Sequence, residues 1–159
     1  MKKLERLIGE SLREKGLKLA LAESCTGGLA SSMITDVAGS SEYFLGSIVA
    51  YANEVKQAVL GVKATTLKKY GAVSKETASE MARGIKKKLG SDISAAITGI
   101  AGPGGGTKEK PVGLVFIAVS KGRTTIVQRF VFKGGRKSIK KQSAEAALSM
   151  LAEALGLKA

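Results

Sequence analysis

Apolar residues at Leu4, Leu7, Ile8 and Leu12 recur at the spacing of one helix face, which predicts a helix over about 2–15 that Gly16 ends. A first strand follows at about 17–23, its centre the apolar run Leu19 to Ala22, and helical spacing resumes from Leu29 to about Thr35. Asp36 to Ser41 is a loop. Tyr43 to Ala52 is rich in aromatic and β-branched residues and reads as a second strand, and Asn53 is placed to cap a helix from Glu54 to about Leu60, closed by Gly61. Thr65 to Tyr70 predicts a short helix. Ser74 starts a longer one with the stripe Met81, Ile85, Leu89, and Gly90 ends it. Ile93 to Thr98 is a small-residue apolar run of the kind a buried central strand carries. Val112–Val119 and Thr124–Phe132 alternate on either side of Lys121 and Gly122 as a hairpin, and Ala144 to Leu155 forms a closing amphipathic helix. Helices interleaved with strands, plus one hairpin, predict an α/β protein: a three-layer α/β/α sandwich with a mixed, mostly parallel sheet.

The 159 residues, 44% of them hydrophobic, suffice for one domain with a single core, so the whole span 1–159 is expected to form one unit. No run approaches the roughly 18 apolar residues of a membrane span, and Met1 to Glu10 lacks a continuous apolar segment that could serve as a signal peptide. A cytoplasmic location is expected. The single cysteine, Cys25, rules out an internal disulfide, in keeping with a reducing compartment. The net charge of +13 favours polyanions, but the lysines are spread over segments that read as exposed helix faces, and 4% aromatic content leaves few platforms for stacking bases. The expected partner is a small anion; nucleic acid should bind only weakly and without sequence preference.

The stretch AESCTGG, Ala22 to Gly28, marks a strand-to-helix corner that carries a hydroxyl, a thiol and two glycines. Ser24 falls near the unpaired amides of a helix start, where it reads either as an N-cap or as a nucleophile facing donors for an oxyanion. Gly99 to Gly106 holds five glycines and Pro103 in eight residues, a composition suited to turns and to close approach of a ligand, or simply to a loop. Since the chain contains no histidine, Ser-His-Asp and Cys-His sites and histidine-bearing metal sites are excluded. One route left for activating a serine is a lysine with a lowered pKa, and Lys56, in the first turn of the helix after the second strand, is the best placed. The alternative is an ordinary surface lysine.

AESCTGG at 22–28, GSS with an aromatic at 39–44, YANEVK at 51–56, YGAVS at 70–74, EMARG at 80–84, TGIAGPGGG at 98–106, EKPVG at 109–113 and GGR at 134–136 together resemble the C-terminal domain family of the competence/damage-inducible protein CinA, over about residues 4–156. Stand-alone members of that family include nicotinamide-nucleotide amidases. The resemblance implies hydrolysis of the carboxamide of nicotinamide mononucleotide to nicotinate mononucleotide and ammonia, with no cofactor or metal, in a homo-oligomer. It puts the nucleophile on Ser24 and the proposed lysine and tyrosine on Lys56 and Tyr51. Amides of Cys25, Thr26 or Gly27 would hold the oxyanion, and Thr98 to Gly106, including Gly99, Gly102 and Gly104, would surround the ribose phosphate. Arg136, within GGR, joins the expected substrate-binding set, while Lys110, within EKPVG, carries no assigned role. The alternative function is a non-catalytic nucleotide-binding or nucleic-acid-associated module. If the charge mainly attracts a small anion, duplex DNA binding measured by fluorescence anisotropy will be weak at about 50 mM salt, fade steeply by about 200 mM and show no preferred sequence.

Overall fold

The computed structural model describes residues 3–158, so Lys2, where the first helix was expected to begin, lies outside the described residues. The order of elements is α1 (Leu4–Lys15), β1 (Leu19–Glu23), α2 (Leu29–Thr35), a 3₁₀ turn (Ser40–Glu42), β2 (Phe44–Val49), α3 (Asn53–Ala58), α4 (Ala64–Tyr70), α5 (Lys75–Leu89), β3 (Ile93–Gly99), β4 (Leu114–Lys121), β5 (Thr124–Val131) and α6 (Arg136–Ala154). The five strands form one sheet in the order β2-β1-β3-β4-β5. β1 pairs in parallel with β2 and β3, while β3–β4 and β4–β5 are antiparallel, so four of the five strands run in one direction and β4 alone opposes them.

The two faces of the sheet differ in side-chain size. Leu19 and Leu21 of β1, Ile93 and Ile97 of β3, and Val115, Ile117 and Val119 of β4 point to one side, where they pack with Ile8 and Leu12 of α1 and Leu148 and Leu151 of α6. Ala20, Ala22, Ala96 and Ala118 line the other side against Ala78, Met81, Ala82 and Ile85 of α5. Because the sheet presents mostly methyl groups there, α5 sits close enough for the buried Ser94 hydroxyl on β3 to donate to the carbonyl of Ala82 at 2.6 Å. The result is the expected three-layer sandwich, with α5 on one face and α1, α2 and α6 on the other.

Several boundaries differ from the sequence reading. Ser24 is not an N-cap: α2 begins at Leu29, and Gly28 occupies the cap position with φ 101°. The Glu23 carboxylate accepts from the amides of Gly28, Ala30 and Ser31 and so replaces a capping side chain. Asn53 is likewise not a cap but the first residue of α3; Ala52 precedes it without a side-chain bond, and α3 ends at Ala58 rather than Leu60. Ser74 does cap α5, accepting from the Thr77 amide at 3.2 Å. The largest difference is α6, which starts at Arg136 and not at Ala144. Its first turns, RKSIKKQS, are polar apart from Ile139, so they show no apolar stripe. They dock through buried Ile139 and through Ser143, whose hydroxyl donates to the Ile139 carbonyl at 2.7 Å.

Among the described residues, no helix is long and apolar enough to cross a membrane. One glycine is required by close approach: a Cβ on Gly84 of α5 would overlap the carbonyl oxygen of Leu60. Gly84→Ala gains about 1 kcal/mol of helix propensity but overpacks against backbone that cannot rotate away. The net result expected is a loss of about 2 kcal/mol, a fall of about 4–8 °C in the thermal midpoint followed by circular dichroism.

Candidate active site

The C-terminal ends of the parallel strands β1, β2 and β3 open on the same edge of the sheet, where ligands of α/β folds collect. Backbone bonds fix the end of β1 between its neighbours: the Ser24 amide donates to Ile97 of β3 at 3.0 Å, and the Ala50 amide, just past β2, donates to Glu23 at 2.8 Å. Alternation along β1 carries Glu23 to the α2 side, and the next residue, Ser24, turns toward α3.

Ser24 meets Lys56 there. Lys56 sits on α3 and is only 1% exposed, which is exceptional for a lysine, and no carboxylate pairs with it among the described residues. Its Nζ lies 3.1 Å from Ser24 Oγ, 2.8 Å from the carbonyl oxygen of Ala50 and 3.1 Å from that of Tyr51. Burial lowers its pKa below the ordinary 10.5, against an opposing pull from Cys25. A neutral amine suits this geometry: its two hydrogens satisfy the two carbonyls, which can only accept, and the lone pair is left for the serine hydroxyl. The short path from β2 to α3 makes this possible, because Ala50 and Tyr51 leave the strand and turn their carbonyls back toward the helix that follows.

These residues border a cavity of about 230 Å³. Cys25, Tyr51, Thr98, Gly99, Ala101 and Arg136 also line it, as do Asn53, Ala72 and Val73, which had no expected binding role. Cys25 is 6% exposed, and its thiol is pushed up to about 11, mainly by burial; the Glu23 carboxylate adds to the rise while its own backbone amide, Lys56 and Lys140 oppose it. At neutral pH it is therefore a thiol and a poor nucleophile. The Tyr51 ring is 61% exposed and its hydroxyl accepts from Arg136 at 3.1 Å, so the part of Tyr51 that touches Lys56 is its backbone carbonyl. Thr98 is buried, with its hydroxyl donating to Ala72 at 2.8 Å, which fastens the linker between α4 and α5 to the end of β3.

The turn at 24–28 and the glycine loop differ in what they offer a ligand. Within the turn, the Gly27 amide is engaged by the Ser24 carbonyl at 3.1 Å and the Gly28 amide by Glu23 at 3.0 Å; the amides of Cys25 and Thr26 donate to no carbonyl or carboxylate among the described residues. Of the three expected oxyanion donors, Cys25 and Thr26 remain available. In the loop, Gly99 and Ala101 border the cavity, but Gly102 and Gly104 do not. Gly102, at φ 76°, has Val112 in the place of a Cβ and offers its carbonyl to Arg136 at 2.7 Å, while nothing lies near a Cβ on Gly104. Gly102 and Gly106 thus let the loop pack on Val112. Lys110, with no sequence-assigned role, reaches the Tyr70 carbonyl at 2.5 Å and lies outside the cavity.

The family model described as CinA C-terminal domain matches residues 1–155. A putative competence-damage inducible protein of Desulforudis audaxviator is 52% identical over 136 residues, which covers 86% of this chain and 33% of that protein. A CinA-like protein of Syntrophomonas wolfei is 52% identical over 145 residues, 91% of this chain and 35% of its own. The chain thus spans about a third of the length of the curated relatives it matches. Among solved structures, the competence/damage inducible protein CihA of Agrobacterium tumefaciens superposes with a TM-score of 0.92 at 41% identity, covering 96% of this chain and 93% of that one. The competence damage-inducible protein A of Klebsiella pneumoniae gives 0.93 at 33% identity, with 96% and 95% covered. Sequence and fold agree over nearly the whole chain, and the protein belongs to the CinA C-terminal domain family.

Proposed function

We propose that this domain is an amidohydrolase that converts nicotinamide mononucleotide to nicotinate mononucleotide and ammonia, with Ser24 as nucleophile and Lys56 as general base. The observation that carries this reading is the Lys56 amine, buried without a carboxylate and 3.1 Å from Ser24 Oγ. Ser24 Oγ attacks the carboxamide carbon while neutral Lys56 takes the hydroxyl proton. The amides of Cys25 and Thr26 receive the negative oxygen of the tetrahedral intermediate, a contribution typically worth about 3 kcal/mol per donor. Lys56 then passes its proton to the leaving nitrogen, and ammonia departs from an acyl-serine. Water, deprotonated by Lys56, attacks the ester; collapse releases the carboxylic acid, which gives its proton to solvent, as Lys56 returns its proton to Ser24.

A cavity of about 230 Å³ is small beside the ~300–1,000 Å³ usual for ligand pockets, so it suits the pyridine carboxamide, with the ribose phosphate reaching toward the mouth. Arg136 borders the cavity and, among the described residues, bonds only to neutral acceptors, Gly102 and Tyr51, which leaves its charge available to the phosphate.

Ammonia release from nicotinamide mononucleotide by purified protein tests the reaction directly; binding without release would favour a non-catalytic nucleotide-binding module. Ser24→Ala is expected to lower kcat at least about a thousandfold. Lys56→Arg should be nearly as damaging as Lys56→Ala, since a guanidinium does not give up its proton near neutrality. Cys25→Ser should stay within a few-fold of wild type, and the opposite pattern would transfer the nucleophile to the thiol. Because the reactive form of Lys56 is the deprotonated one and burial lowers its pKa, kcat/KM should rise with pH along a limb centred below 10.5. A limb at or above that value would exclude Lys56 as the base. For Arg136→Ala, steady-state kinetics should show KM for the mononucleotide raised about ten- to a hundredfold with kcat changed far less, and free nicotinamide should be a very poor substrate of the unaltered protein. Comparable turnover of free nicotinamide would remove the phosphate role from Arg136.

A further inference from the structure

Glu23 is wholly buried beside the nucleophile, faces no cation within bonding distance among the described residues, and takes no part in the proposed proton transfers. Its carboxylate is nevertheless saturated. Oε2 accepts from the Thr26 hydroxyl at 2.6 Å and the amides of Gly28 and Ala30 at 3.0 and 3.2 Å; Oε1 accepts from the amide and hydroxyl of Ser31 at 2.8 and 2.6 Å. Hydroxyls can reverse their role, but the three backbone amides cannot, and they are divided between both oxygens. A carboxyl group presents acceptor oxygens at both positions. A glutamine would have to aim its NH₂ at one set of N–H groups and leave buried donors unmatched.

Tracing every amide from 24 to 31 shows what this arrangement does to the turn. Ser24 donates to Ile97, Gly27 to Ser24, and Leu29 to Thr26, while Gly28, Ala30 and Ser31 donate to Glu23. In this stretch the amides of Cys25, which faces its own thiol, and Thr26 are the two that donate to no carbonyl or carboxylate among the described residues, directly after the nucleophile. The Thr26 side chain is held by Glu23 at the same time, so the peptide units of these two amides are clamped at their C-terminal end.

We propose that Glu23 is a positioning residue for catalysis: by engaging the amides of Gly28, Ala30 and Ser31 and the Thr26 hydroxyl, it sets the 24–26 backbone so that the Cys25 and Thr26 amides converge on the oxygen of the carbonyl under attack. The inference rests on Ser24 being the nucleophile, as proposed above, but not on the identity of the amide substrate. It places no proton on Glu23 and no contact between Glu23 and substrate.

The test is the second-order rate at which a fluorophosphonate labels Ser24, because that reaction needs the nucleophile and the oxyanion pocket but no pyridine nucleotide. Glu23→Gln is expected to slow labelling by about a hundredfold, the scale of losing one aligned oxyanion donor, and to lower kcat for the mononucleotide by a similar factor while its equilibrium affinity changes less than about threefold. Thr26→Val, which keeps the side-chain shape and removes one donor to Glu23, should slow labelling about tenfold and decides the matter if Glu23→Gln does not fold. Wild-type labelling rates in folded Glu23→Gln, or in Thr26→Val where the first variant is not obtained, would overturn the proposal; so would equal losses of affinity and labelling, which would indicate a collapsed pocket. Failure of the two readings is separable: brisk labelling of the unaltered protein with no ammonia from the mononucleotide removes the substrate and leaves the role of Glu23 open to the same measurement.

Discussion

An amine buried among two carbonyls and a hydroxyl governs the organisation of this end of the molecule. A protonated lysine there would carry a charge with no counter-ion among the described residues, and burial lowers its pKa. Keeping this amine neutral costs folding free energy at every pH below its ordinary 10.5, a cost that grows as the pH falls and is complete only below the lowered pKa of the folded protein. The sandwich must supply that energy from elsewhere, and it does so through two continuous apolar layers. Ser24 and Lys56 belong to the segments that end β1 and follow β2: a backbone bond to Ile97 ties Ser24 to the sheet, and the Lys56 amine itself reaches the Ala50 carbonyl just past β2. The sheet therefore fixes the separation of the pair.

The size difference between the two faces of the sheet bears on the same point. Alanines toward α5 let that helix pack tightly, and Gly84 allows the chain near Leu60, just beyond α3, to press against it. The segment carrying Lys56 is thus held from behind by α5 and from the side by β2. On the opposite face, larger aliphatic residues hold α1 and α6 further out. Glu23 occupies the gap at the top of that layer, where the seven-residue α2 leaves its first amides in need of an acceptor.

Much of this was legible in the chain. The apolar run LALA and the small-residue run ISAAIT reveal the central strands, and the absence of histidine turns attention to a lysine base before any geometry is known. Ser24 and Lys56 do meet, 3.1 Å apart. What escaped the sequence reading has physical causes. Glu23 looks like the polar end of a strand because nothing local reveals that its partners are amides up to eight positions later. The first two turns of α6 are polar because they bridge solvent and the site, so periodicity could not find them. Asn53 is a good capping residue, but Ala52 takes the cap position and Asn53 faces the cavity instead. The glycines of the 99–106 loop suggest ligand contact, yet at Gly102 the space is filled by Val112. Composition alone cannot separate close approach to a ligand from close approach to another part of the chain.

Arg136, the first residue of the last helix, joins the carbonyl of Gly102 to the hydroxyl of Tyr51 and so ties α6 to the glycine loop and to the segment after β2. The walls of the cavity come from residues scattered between positions 24 and 136 of a 159-residue chain. During synthesis, Ser24 and Lys56 leave the ribosome long before Arg136, which spans the mouth. A growing chain can pair β1 with β2 early, but it has no closed pocket until α6 has emerged and docked. The cavity therefore closes in one late step, when Arg136 reaches the Gly102 carbonyl and the Tyr51 hydroxyl.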